Sequence, residues 1–105
     1  MNGLTPSWDD LRLFASIAAE GSLSAAARRL KLSQPTMGRR LQALEERMGA
    51  KLLERTGGGP GGHYVLTPKG AELLPLVERM VAAGEAIERA RPDFAEDATG
   101  TVRVA

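Results

Sequence analysis

The amino-acid sequence predicts a mainly α-helical chain with one small β-hairpin and a long C-terminal helix. Three observations carry this reading. A serine or threonine stands ahead of each of four segments whose apolar residues recur at helical spacing. Glycine closes the first and third of these segments. A glycine-rich run, Gly57-Gly58-Gly59-Pro60-Gly61-Gly62, separates two short stretches of strand-forming residues.

The first helix opens at Ser7, with Asp10 three residues on in a capping-box-like arrangement, and Gly21 stops it. Its apolar positions are Trp8, Leu11, Phe14 or Ala15, and Ala18. Ser22 or Ser24 caps a short second helix through Ala25-Ala26-Ala27-Arg28-Arg29-Leu30, whose alanines give helix propensity and a slim profile. Lys31-Leu32-Ser33 is a tight connection. Ser33 caps the third helix, and Pro35 falls in its first turn, where a missing N–H costs little. Met37, Leu41, Leu44 and Met48 share one face, which predicts core. Pro35, Arg39, Gln42 and Glu46 share the opposite face, and Arg40 lies at the border of the core. Glu45 and Glu46 read as a surface pair. Gly49 ends the helix.

Lys51 to Arg55 and His63 to Leu66 are the two strands of a hairpin, with the glycine run as its tip. Thr67-Pro68 opens the fourth helix, expected over 68–91 and ending before Pro92, with a bend at Pro75. Leu73, Val77, Met80, Gly84 and Ile87 follow a 4-3-4-3 spacing, which predicts a coiled-coil-like seam between two copies of the chain. Residues 93–99 are acidic and read as loose. Gly100 to Ala105 alternates like a strand.

Composition narrows the function. The chain has 105 residues, enough for one small domain. It has no cysteine, which excludes disulfides, thiolate metal sites and a cysteine nucleophile. His63 is the only histidine, a poor basis for a metal site, and reads as a residue of the hairpin surface. No nucleophile–base pair is visible, so an enzyme is not expected. The glycine run is followed by His63 and a strand rather than by Lys, Ser or Thr and a helix, so it is no phosphate-binding P-loop. No apolar run is long enough for a membrane span, and no signal peptide opens the chain, so a cytoplasmic location is expected.

The net charge of +1 conceals an asymmetry. Residues 22–69 hold nine Lys and Arg against three Glu, and both flanks are net acidic. A basic centre on a near-neutral chain supplies a local field for a polyanion. Helix, tight turn and capped helix, followed by a hairpin, is the plan of a winged helix-turn-helix. In that plan the N-terminal part of the third helix enters the major groove. Gln34 and Gln42 suit adenine edges, Arg39 suits guanine, and Pro35 and Thr36 suit a thymine methyl. Gly38 keeps the helix surface low, at a helix cost of about 1 kcal/mol relative to alanine. Arg28, Arg29, Arg40, Lys51 and Arg55 are candidates for phosphate, and so is Ser33 at the helix N-terminus.

The stretch "GSLSAAARRLKLSQPTMGRRLQALEERMGAKLLERT" followed by "VLTPKG" resembles the DNA-binding head of LysR-type transcriptional regulators. The resemblance covers residues 8 to 90. It rests on the Ala-rich helix, Ser-Gln-Pro, an Arg four residues beyond that proline, Leu-Glu, Leu-x-x-Arg and Leu-Thr-x-x-Gly, in that order. It implies a winged helix-turn-helix over 8–67 (helix-turn-helix 24–43, wing 51–66), a linker helix over 68–91, and a hinge and the start of a further domain over 92–105. It implies duplex DNA as partner and an antiparallel homodimer through the linker helix, with a tetramer and RNA polymerase as further partners of the full-length protein. Base readers would be Gln34, Pro35, Gly38 and Arg39, with Ser33 and Thr36 close by, and Arg55 would lie on phosphate. No cofactor is implied for this chain, since a small-molecule effector would bind the C-terminal domain, which is absent here. The chain departs from the family in Gly38, where serine is usual, and in a long wing tip without Lys or Arg. Two alternative readings are the similar head of molybdate-responsive regulators and a winged helix that binds protein rather than DNA. Ser33-Gln34-Pro35 and the basic centre argue against them.

Overall fold

The computed structural model describes residues 6–57 and 62–100, with side-chain surroundings as far as Arg91. The chain runs α1 (Trp8–Glu20), α2 (Leu23–Leu30), α3 (Gln34–Met48), β1 (Leu53–Thr56), β2 (His63–Leu66) and α4 (Pro68–Gly100). The strands form an antiparallel hairpin with Leu53 opposite Leu66 and Thr56 opposite His63. This is the expected mainly α-helical architecture with a two-stranded wing.

The helix starts follow from their caps. Ser7 Oγ accepts from Asp10 N at 3.1 Å, and Ser22 Oγ accepts from Ala25 N at 3.1 Å, which settles Ser22 rather than Ser24 as the second cap. Ser33 Oγ accepts from Thr36 N at 3.2 Å. Gly21 and Gly49 end α1 and α3 in the left-handed conformation. Lys31 ends α2 with φ of 59°, an uncommon conformation for a residue with a Cβ.

The core is aliphatic around Phe14. Its centre is α1, which packs on α2, α3, α4 and β2. That central position explains why α1 buries Leu11, Leu13, Phe14 and Ile17, a wider face than the expected Trp8-Leu11-Phe14-Ala18 stripe. On α3, Met37, Leu41 and Leu44 are buried as expected. Met48 is not: it lies in the last turn, past the end of the core, and is exposed. Glu45 is buried instead. Its Oε2 accepts from Leu52 N at 2.8 Å and Leu53 N at 3.2 Å, so the chain after Gly49 folds back over the carboxylate. Thr67 Oγ1 donates to Lys51 O at 2.6 Å. With Lys51 and Leu52 bonded to Thr67 and Glu45, the hairpin ladder begins at Leu53, two residues later than the sequence suggests.

The Leu-Thr-x-x-Gly motif fixes α4 to the wing. Thr67 Oγ1 accepts from Gly70 N at 3.0 Å, capping the helix. A Cβ on Gly70 would lie inside van der Waals contact with the Leu52 carbonyl oxygen, so only glycine allows this approach. Helix α4 continues through Pro75 and Pro92 to Gly100, past the expected end at residue 91. A proline forfeits one ladder bond, and the flanking bonds carry the helix across it. Residues 93–99, expected to be loose, are therefore helical. The strand expected at the end of the chain falls outside the described residues, apart from Gly100, which closes α4.

The expected seam on α4 is divided. Val77 is 1 % exposed and belongs to the core, with Leu73 and Met80 packed against it. A Cβ on Gly84 would come within 2.6 Å of the Trp8 ring, so Gly84 also faces its own domain. Of the five seam residues only Ile87 is exposed, at 63 %. The spacing located an apolar face correctly, but most of that face is covered by the chain's own head.

Candidate nucleic-acid interface

Helix α3 presents its polar side outward because Met37, Leu41 and Leu44 hold the other side in the core. Gln34, Pro35, Arg39 and Gln42 are exposed along it. Thr36 and Gly38 are half-buried beside them. These six residues, read from the sequence as base contacts, thus lie on or beside one continuous surface. A Cβ on Gly38 would meet nothing within 4 Å. Nothing inside the protein requires glycine there, and its φ is ordinary.

The side chains at the start of α3 are organised by one another. Ser33 Oγ donates to Thr36 Oγ1 at 2.8 Å, and Arg39 Nη2 donates to the same oxygen at 3.3 Å. The Thr36 hydroxyl therefore steers the Arg39 guanidinium and keeps its own proton for an outside acceptor. Ser33 both caps the helix and donates to Thr36, which commits its hydroxyl within the protein.

The cationic residues divide into distinct settings. Arg28 and Arg29 are exposed on the last turn of α2, and Arg29 pairs with Glu20 at 3.1 Å. Lys51 is exposed, 3.9 Å from Glu45 Oε1. Lys51 and Arg55 share one open concavity with Gly38, Gln42 and Tyr64, between α3 and the wing. The stem of Arg55 lies over Gly62, where a Cβ would collide with it. Arg40 stands apart: its Nε donates to Asp10 Oδ1 at 3.0 Å, and its Nη2 pairs with the same oxygen at 2.8 Å. Expected as a phosphate contact, it is tied to α1.

The wing is anchored to the rest of the head where its second strand begins. Tyr64 N donates to Gly21 O at 2.9 Å, and Ser22 forms an isolated bridge with His63. The His63 side chain is exposed on the wing, as expected. The tip at residues 58–61 lies outside the described residues.

Sequence reading missed three organising residues. Glu45 had a signal, since it stands four residues after buried Leu41 and so beside the apolar stripe. Gly70 had its place in a motif but no stated reason. Asp10 was read only as part of the first cap; its tie to Arg40 had no signal, because that partner lies thirty residues away.

Comparison with known proteins places this arrangement. Residues 8–71 match the family described as bacterial regulatory helix-turn-helix proteins, lysR family. The chain is 43 % identical over 82 residues to the HTH-type transcriptional regulator TfdS of Cupriavidus pinatubonensis, covering 77 % of this chain and 26 % of that one. Among solved structures it resembles the oxidized form of Corynebacterium glutamicum OxyR, with TM-score 0.75 and 32 % identity over 83 % of this chain and 27 % of that one. It also resembles the CbnR DNA-binding domain in complex with DNA, with TM-score 0.67 and 36 % identity over 84 % of this chain and 98 % of that one. The chain thus spans about a quarter of the length of curated relatives such as TfdS. Its helix-turn-helix fold with a two-stranded wing matches solved members of this family, and the chain belongs to the LysR family of bacterial regulatory helix-turn-helix proteins.

Proposed function

We propose that this chain is the sequence-specific DNA-binding head of a bacterial transcription regulator, acting in the cytoplasm on duplex DNA. The observation that carries the reading is the outward face of α3. Gln34, Arg39 and Gln42 project from a helix whose other side is locked in the core, and Thr36 aims Arg39. Bidentate side chains on a rigid helix suit base edges in the major groove. The likeness to a DNA-binding domain solved on DNA supports the same docking. Arg28, Lys51 and Arg55 flank α3 from α2 and the wing, where they suit phosphate. Effector sensing belongs to another domain in this reading, so the head itself needs no cofactor.

Two heads act together through α4. The outward apolar positions are Leu76, Ala83 and Ile87, with half-buried Met80 between them, at i, i+4, i+7 and i+11. This seam is displaced by part of a turn from the one that the sequence spacing suggests, and it replaces it as the surface for a second copy. Paired heads reading successive major grooves require an interrupted palindrome.

The test is selection from a random duplex pool, then anisotropy on the selected and a scrambled duplex over a salt series. Preference for the selected duplex with a steep salt slope is expected. Equal affinity for both would refute sequence reading, and no binding at low salt would refute the DNA reading altogether. On the selected site, Arg39→Ala is expected to cost about 1–3 kcal/mol, and much less on scrambled DNA.

A further inference from the structure

Arg39 and Arg40 are neighbours on the helix that meets DNA, yet the protein treats them differently. Arg39 is exposed and leans on Thr36. The Arg40 side chain is 34 % exposed and makes one hydrogen bond and a close ion pair with a single oxygen of Asp10, whose own side chain is 16 % exposed. Asp10 stands in the first turn of α1, in the segment started by the Ser7 cap. Its backbone is fixed there, so the carboxylate is not free to follow Arg40 toward solvent. A partly buried, hydrogen-bonded ion pair of this kind holds a guanidinium better than one as exposed as Arg29–Glu20.

We propose that Asp10 is a specificity-determining residue: by holding Arg40 on α1, it withholds one cation from the phosphate backbone and leaves the base reading of α3 to Arg39. The role rests on the DNA-binding reading above. The physical argument is one of selectivity. A cation on phosphate strengthens binding to every sequence alike, whereas Arg39 on a base edge strengthens binding to one. An Arg40 free to extend along its aliphatic stem would add to the first kind of binding only. Asp10 also neutralises the like charge beside Arg39, and it joins α3 to α1 in the middle of the reading segment.

The experiment is a salt series for the full 105-residue chain on the selected duplex and on a scrambled duplex, with wild type, Asp10→Asn, Arg40→Gln and the double variant. Wild-type binding run alongside separates the two readings, since a chain that binds neither duplex refutes DNA binding rather than the role of Asp10. Asp10→Asn is expected to bind scrambled DNA more tightly, with a log–log salt slope steeper by about 0.9 for the one added phosphate contact. Its ratio of selected to scrambled affinity should fall. Arg40→Gln is expected to keep the wild-type slope, and the double variant to return to it. A loss of about one slope unit in Arg40→Gln would place Arg40 on phosphate despite Asp10 and overturn the proposal. So would an unchanged slope and unchanged ratio in Asp10→Asn, which would leave the pair a purely structural one. If Asp10→Asn does not fold, the slope of Arg40→Gln decides alone.

Discussion

At the scale of single residues, two positions separate what the fold needs from what function needs. Gly38 has room for a side chain and no positive φ, so its absence of a Cβ serves nothing internal. Gly38→Ala is expected to raise stability by about 1 kcal/mol through helix propensity, seen as a higher melting temperature. It is also expected to weaken binding to the selected duplex, because the helix backbone would no longer approach the DNA as closely. Glu45 is the opposite case. Its carboxylate receives two backbone N–H groups that begin the wing, and Glu45→Ala would leave both without their partner. A loss of about 1–3 kcal/mol in urea unfolding is expected. The caps at Ser7, Ser22 and Ser33 were legible in the sequence because cap chemistry spans only three residues. Glu45 and Asp10 were not, because a carboxylate on a helix reads as surface until the segment that covers it is placed.

At the scale of elements, periodicity revealed which faces are apolar but not what they face. Val77 and Gly84 lie on the stripe that the sequence assigns to a second subunit, yet Val77 is buried in the chain's own core and Gly84 packs against Trp8 of α1. The reason lies in α1, whose broad buried face needs a cover that the short α2 and the hairpin do not supply. Two variants separate the two jobs of α4. Ile87→Glu is expected to give monomers in light scattering with little change in melting temperature, because Ile87 touches solvent in the single chain. Met80→Glu is expected to lower the melting temperature as well, since Met80 packs against the core. Glycine and proline were legible unequally. Gly21 and Gly49 ended their helices as expected, whereas Pro92 did not, because one missing hydrogen bond does not stop a helix of 33 residues.

At the scale of the molecule, the long axis belongs to α4. A helix of 33 residues spans about 50 Å at 1.5 Å per residue, close to the 57 Å extent of the chain. The basic stretch of residues 22–69 falls in the compact head, and the acidic residues collect along the arm. Duplex DNA is therefore attracted to the head and repelled along the arm, an arrangement visible in the sequence once charge is counted by segment rather than summed. The candidate DNA face was legible to the same extent: the exposed residues of α3 follow from helical spacing, while the withdrawal of Arg40 needed the fold.

The bond from Tyr64 N to Gly21 O has a further consequence. It pins the start of the returning strand, next to the loop, to the corner between α1 and α2, so that strand is held from its first residues. Thr56 and His63 are both fixed by their pairing, so the connection between them counts as a tether in the sense of loop closure. Lengthening such a tether adds closure entropy only logarithmically, about 0.6 kcal/mol for each doubling. Two glycines added after Gly58 are expected to change the unfolding free energy by less than that, measured by urea titration. Reach at the wing tip can thus be altered, in nature or by design, without refolding the rest of the head.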